Sequence, residues 1–170
     1  MNRGWLSRTL VAWAVAGSLG AASPAGAGTL EASVKDDKGK PVEDAVVYLA
    51  AAPVAAPGAR AIMDQQNKEF IPYVLPMGVG TAVNFPNNDN IRHHVYSISP
   101  AKKFELPLYG GTPAAPVVFD KPGVVVLGCN IHDWMVAYLY ILPTRYFAKT
   151  GPDGRARILD VPAGAYEVRV

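Results

Sequence analysis

The sequence predicts an all-β sandwich, and three observations carry that expectation. Apolar residues come in short runs, often alternating with polar ones. Past the first 27 residues no stretch holds a helical apolar period. The runs are separated by clusters of turn formers, drawn from 16 glycines and 15 prolines that would interrupt any long helix.

Residues 1–27 read as a secretory signal peptide. Arg3 and Arg8 give a positive start, Leu10 to Ala22 an apolar centre, and Ala25-Gly26-Ala27 a small-residue cleavage site. Gly17, Gly20 and Pro24 break the apolar stretch, which is short for a membrane span. No later stretch is long and apolar enough to cross a bilayer, so no transmembrane segment is expected after cleavage. Arg3 and Arg8 are the only charges in the leader. The remaining chain carries 14 basic and 14 acidic residues, so the overall charge of +2 belongs to the leader. A neutral chain gives no reason to expect a nucleic-acid partner.

The strands follow in order. Leu30–Val34 alternates and ends at the turn Asp36-Asp37-Lys38-Gly39, and Ala45–Leu49 is apolar and β-branched. An Ala- and Pro-rich linker is expected over 51–60. Phe70–Leu75 and Thr81–Phe85 flank Gly78-Val79-Gly80. The turn Asn87-Asn88-Asp89-Asn90 precedes His93–Ile98. Phe104–Leu108 and Val117–Phe119 follow, then Lys121-Pro122-Gly123. Val124–Gly128 is apolar at successive positions and is expected to be buried on both faces. Val136–Leu142 comes next, and Gly151-Pro152-Asp153-Gly154 separates it from Arg155–Leu159. Pro162-Ala163-Gly164 leads to Tyr166–Val170. Helix is expected only as short turns.

One constellation carries chemistry. Cys129, the only cysteine, opens the run Cys129-Asn130-Ile131-His132-Asp133-Trp134-Met135 between two apolar strands, and His93-His94 lie upstream. A single thiol in an exported chain makes no internal disulfide, so it is buried or employed. A tight loop can turn Cys129, His132 and Met135 toward one atom. Thiolate and imidazole bind copper strongly, and a thioether completes the set as a weak axial ligand. A thioether is a poor zinc ligand. No His-Glu-x-x-His, glycine-rich phosphate loop or paired-cysteine set is present, and Ser97 and Ser99 have no evident base and carboxylate set. No catalytic residues are therefore assigned.

These residues resemble the cupredoxins, the plastocyanin-like small blue copper proteins. The resemblance spans Ala61–Leu142. It rests on Val83-Asn84-Phe85-Pro86-Asn87-Asn88-Asp89, on His93 with Val95 two positions on, and on the Cys-x2-His-x2-Met loop, whose spacing is that of amicyanin. With Phe104-Glu105-Leu106, the block also looks like exported proteins labelled methylamine utilisation proteins. The resemblance implies a Greek-key sandwich that binds one copper ion and carries single electrons. It implies His93, Cys129, His132 and Met135 as ligands. Alignment from Phe85-x-Asn87-Asn88 places the first ligand on His93, and strand parity then turns His94 outward, to a supporting or surface place. Asn87 or Asn88 would support the ligand loop. The His132 ring edge would be the electron exit. Trp134 is either a core plug or, with Ile131 and Pro107, part of a docking patch. Partners would be periplasmic redox proteins, a cytochrome or a dehydrogenase, docking transiently. Two other readings stay open: periplasmic copper delivery with no redox role, and a structural interaction module.

Segments 28–50 and 144–170 share another style. Ser33 to Leu49, and Thr150-Gly151-Pro152-Asp153-Gly154 with Asp160 to Tyr166, look like two parts of a carboxypeptidase regulatory-like (transthyretin-like) sandwich. The expected organisation is therefore a signal peptide (1–27), two halves of this module (28–50 and 144–170), a linker (51–60) and the copper-binding block (61–143).

Overall fold

The computed structural model describes residues 27–50, 59–113 and 115–170. The expected leader lies outside them except for Ala27. So does the expected linker, except for Ala59 and Arg60, and Arg60 already pairs in a strand.

The described residues form strands and no helix. In chain order they are β1 (Gly28–Ser33), β2 (Val46–Ala50), β3 (Arg60–Ile62), β4 (Asp64–Gln66), β5 (Glu69–Ile71), β6 (Val74–Gly78), β7 (Thr81–Asn84) and β8 (His93–Ser99). They continue with β9 (Lys102–Tyr109), β10 (Val117–Phe119), β11 (Gly123–Cys129), β12 (Val136–Leu142), β13 (Phe147–Lys149), β14 (Arg155–Val161) and β15 (Glu167–Arg169). The all-β class is the observed one. No described helix is long and apolar enough to cross a membrane.

The central unit packs a five-stranded sheet, β6-β12-β11-β8-β9, against a three-stranded sheet, β10-β7-β3, with the hairpin β4–β5 alongside. The two sheets enclose one core as a β-sandwich. Period-two alternation builds the core. Val95 on β8, Val125 and Leu127 on β11, and Ala137, Leu139 and Ile141 on β12 point inward to Met63, Phe85 and Phe119. Each fully buried aliphatic or aromatic side chain contributes about 1.5–3 kcal/mol.

Three expectations are corrected. Phe70–Leu75 is not one strand: Pro72 lies between β5 and β6, and proline cannot donate to a ladder. The strand before Cys129 is not buried on both faces, since Val124 is 46% and Val126 41% exposed. Valines satisfy strand propensity even where the sheet faces solvent. The short strands β3, β4 and β13 were not expected from their sequences, which are too short or too polar to show a period.

A second core is built from both ends of the chain. β2 lies between β13 and β15, and β1 pairs with β14. Val34, Val47, Leu49, Tyr146, Ala156, Ile158 and Val161 fill the interior. Thr150 Oγ1 closes one edge, accepting the Ala45 N–H (2.9 Å) and donating to the Val42 carbonyl (2.7 Å). Gly154 sits at φ 71°, where a Cβ would stand 2.5 Å from the Val34 carbonyl oxygen, so the position demands glycine. The two units meet where Tyr140 on β12 donates to Tyr48 on β2 (3.3 Å), the rings edge to face.

Candidate metal centre

Three side chains converge at one end of the central sandwich. β8 delivers His93, β11 delivers Cys129, and the β11–β12 loop delivers His132. Cys129 Sγ is 3.8 Å from Nδ1 of His93 and 3.8 Å from Nδ1 of His132. The two Nδ1 atoms are 3.2 Å apart. His93 and Cys129 are buried and His132 is half-buried.

Local rules place each group. His93, Val95 and Ser97 share the inward face of β8, so His94 and Tyr96 face outward. Gly128, just before Cys129, lies under the Tyr96 ring, and a Cβ there would come within 2.9 Å of it. The loop after Cys129 is short and tied at both ends. The Asn130 N–H donates to the His94 carbonyl (3.3 Å), and the Met135 N–H to the His132 carbonyl (2.9 Å). Met135 is 1% exposed and packs in the core cluster that contains Cys129.

The remaining expected residues have distinct places. His94 lies outside the cluster, its Nε2 2.8 Å from Glu105 Oε1 but off the hydrogen-bond direction. Asn87 is buried and pins the turn ahead of His93: its Nδ2 donates to the carbonyls of Ile91 and Tyr109 (both 2.9 Å), and its Oδ1 accepts the Asp89 N–H (3.0 Å). Asn88 holds Asp64 of β4 through its Nδ2 (2.9 Å). Trp134 is 65% exposed, which removes the core-plug reading; its ring centre lies 5.1 Å from that of His132. Ile131 and Leu108 are half exposed, and Pro107 is exposed.

Three residues were not singled out from the sequence. Asp89, read only as a turn residue, stands with Oδ2 2.7 Å from His93 Nε2. Gln65 is fully buried on β4 and donates to Tyr109 Oη (2.6 Å) and to the Pro86 carbonyl (3.0 Å). Tyr109, one residue past the expected strand Phe104–Leu108, lies on β9 and donates to the Phe85 carbonyl (2.8 Å). The one signal for Asp89 was its place four residues before His93.

The electrostatics favour a neutral His132 and a charged Asp89. Burial lowers the His132 pKa below 6.5; His93 and Lys68 add to this and Asp89 opposes it. Burial pushes the Asp89 carboxyl up, but the His93 hydrogen bond and the amides of Lys68 and Asn67 outweigh it and hold it below 3.8. Burial pushes the Tyr109 phenol up to about 12. The donor set, one thiol and two imidazoles with a buried thioether at the loop's end, fits a soft, thiophilic metal such as copper.

No family model and no curated protein matches the chain. Among solved structures it is similar to a copper-containing nitrite reductase from Thermus scotoductus (28% identity, TM-score 0.46). That match covers 54% of this chain but only a quarter (25%) of the reductase. It is also similar to a purple cupredoxin from Nitrosopumilus maritimus (26% identity, TM-score 0.42, covering 50% of this chain and 100% of that one). A third similar structure is a reduced mutant of amicyanin (19% identity, TM-score 0.44, covering 56% of this chain and 98% of that one). Each match spans about half of this chain.

Proposed function

We propose that this chain is an exported blue copper protein that carries single electrons between redox partners. The observation that carries the reading is the convergence of Cys129 Sγ with the Nδ1 atoms of His93 and His132 at the end of a rigid sandwich. His93, Cys129 and His132 would hold the metal strongly and Met135 weakly. Copper would supply one-electron chemistry by alternating between its two oxidation states. The protein's part is to keep the donors in one arrangement through both states. Two ligands sit on paired strands, and the third sits on a loop tied to β8 and to its own end, so little rearranges.

His132 is the ligand nearest solvent, and Trp134 lies beside it, exposed. We take this edge as the exit for the electron, with Trp134, Ile131 and Pro107 as an apolar docking patch suited to brief encounters with a cytochrome or dehydrogenase. The leader over 1–27 directs the chain to the periplasm or beyond. The second core, drawn from 28–50 and 144–170, is read as a transthyretin-like module flanking the copper-binding unit over 61–143, and no activity is assigned to it.

The test is the visible spectrum of the purified protein after cupric ion is added. One equivalent should give an intense thiolate-to-copper band that bleaches on reduction. A colourless protein that still holds copper and yields it readily to a chelator would replace electron carriage with copper delivery. A chain that takes up no copper would leave the sandwich as an interaction module.

A further inference from the structure

The proposed ligand His93 has a second contact that the electron-carrier reading does not require. Its Nε2 is 2.7 Å from Oδ2 of Asp89, whose side chain is only 11% exposed. The same carboxylate accepts the N–H of Asn67 on Oδ1 (2.6 Å) and the N–H of Lys68 on Oδ2 (2.9 Å). Asn67 and Lys68 form the two-residue turn of the β4–β5 hairpin, with φ of 56° and 59°. That left-handed pair of conformations is the turn type that suits a two-residue hairpin. It also presents both amides to one anion. The Asp89 backbone is held as well, by Asn87 Oδ1.

An ionised carboxylate only accepts hydrogen bonds. Facing it, His93 carries a proton on Nε2, and in the neutral ring that can bind a metal the lone pair is then on Nδ1, toward Cys129 and His132. We propose that Asp89 is the positioning residue of this site: gripped by the β4–β5 turn, it fixes both the ring orientation of His93 and the tautomer in which Nδ1 is free to bind a metal. This inference rests on the copper reading above, although its tautomer half does not need the metal. Partners of this kind, placed behind a ligating imidazole, typically affect metal affinity ten- to a hundredfold.

Asp89→Asn separates this role from a merely structural one. The new side chain has nearly the same shape. With its oxygen in the place of Oδ1, on the Asn67 N–H, its NH2 stands where Oδ2 faced His93 Nε2, which must then accept, and the Lys68 N–H loses its acceptor. The proton moves to Nδ1, into the metal site. Two measurements read this. The 15N shifts of His93 in copper-free protein, followed upward in pH until the ring holds a single proton, should report the Nε2-protonated tautomer in wild type and the Nδ1-protonated one in Asp89→Asn. Competition with a chromophoric chelator should show cupric binding weakened by about ten- to a hundredfold in the variant. A variant with unchanged tautomer and unchanged affinity overturns the inference and leaves the copper assignment standing. A wild-type chain that takes up no cupric ion overturns the copper assignment, and the tautomer pair still decides the role of Asp89. Should Asp89→Asn not fold, the wild-type tautomer alone decides, and a proton on Nδ1 overturns the proposal.

Discussion

Both packed units of this chain use buried polar side chains to hold the backbone, as Asn87 and Gln65 do in the central one, but only the central unit also turns some of them toward one another. In the unit built from both ends, the buried hydroxyls serve the backbone. Thr150 bridges Ala45 and Val42, and Thr144 accepts the Tyr146 N–H (3.1 Å). In the central unit, Cys129 and the Nδ1 atoms of His93 and His132 face one another, and among the described residues no carboxylate or backbone group is hydrogen-bonded to those atoms. Desolvating such groups costs free energy that the contacts among themselves recover only in part. Polar groups that close a ladder stabilise a fold; donors that converge on each other are organised for something they bind. The proposed metal site therefore belongs to the central unit, although both units are β-sheet cores of similar apolar make-up.

The sharpest way to break this comparison is to remove one converging donor. Cys129→Ser should abolish the coloured copper complex while leaving the fold intact, since the two side chains are of similar size. His93→Ala should also abolish it, and His94→Ala should not, because His94 faces outward toward Glu105. Visible spectra of the three variants decide this. Colour that survives His93→Ala but not His94→Ala would put the site on the wrong face of β8.

Gly154→Ala probes the other unit. The left-handed φ costs about 1–3 kcal/mol for a non-glycine residue, and the Val34 carbonyl at 2.5 Å adds a clash. Thermal melting should show a marked loss of stability, with the copper spectrum of the folded protein unchanged. A bleached spectrum in folded Gly154→Ala would mean that the two units are not separate in function.

Met135→Gln tests the weakest donor. Burying an amide in the core should cost about 1–3 kcal/mol, because Met135 is fully enclosed. An axial thioether favours the softer, reduced ion, so the reduction potential should fall while copper stays bound. Voltammetry showing an unmoved potential, with the melting temperature down, would make Met135 a core residue and nothing more.

Two smaller effects complete the series. Burial holds the phenols of Tyr109 and Tyr140 at about 12, with the Tyr48 hydrogen bond adding to the second. Both pKa values are raised on folding, so the stability they contribute is intact below pH 10 and is lost as pH rises from 10 toward 12. Ultraviolet titration should show two late-ionising tyrosines. Two that ionise with the rest would contradict their enclosure. Finally, Trp134→Ala should leave stability within about 0.5 kcal/mol, since the ring is exposed. It should slow electron exchange with a redox partner in stopped-flow measurements, and an unchanged rate would remove Trp134 from the docking patch.

Much of the fold was legible along the chain. Val136–Leu142 and Val117–Phe119 were expected with the bounds observed, because apolar, β-branched and aromatic runs bounded by turn residues mark them without help from distant sequence. β3, β4 and β5 were missed or misjudged. Three residues cannot show a period, and their pairing depends on β7 and on the hairpin partner. The sequence also brought His93, Cys129, His132 and Met135 under suspicion, because few structures call for thiol, imidazole and thioether at that spacing. It misjudged Val124 and Val126, whose apolar character gives no sign of which sheet face is covered.

What the sequence determined by itself is local: strand period, turn positions, the short loop from Cys129 to Met135, and the parity that sets His93 and His94 on opposite faces. These depend on backbone geometry and near neighbours alone. What only the tertiary structure decided is everything that needs two distant segments to meet. It paired the two ends into one core, exposed Trp134, and brought the Asn67–Lys68 turn to Asp89 and Asp89 to His93. A carboxylate in an Asn-rich turn looks like any other turn residue until the chain folds and shows what faces it.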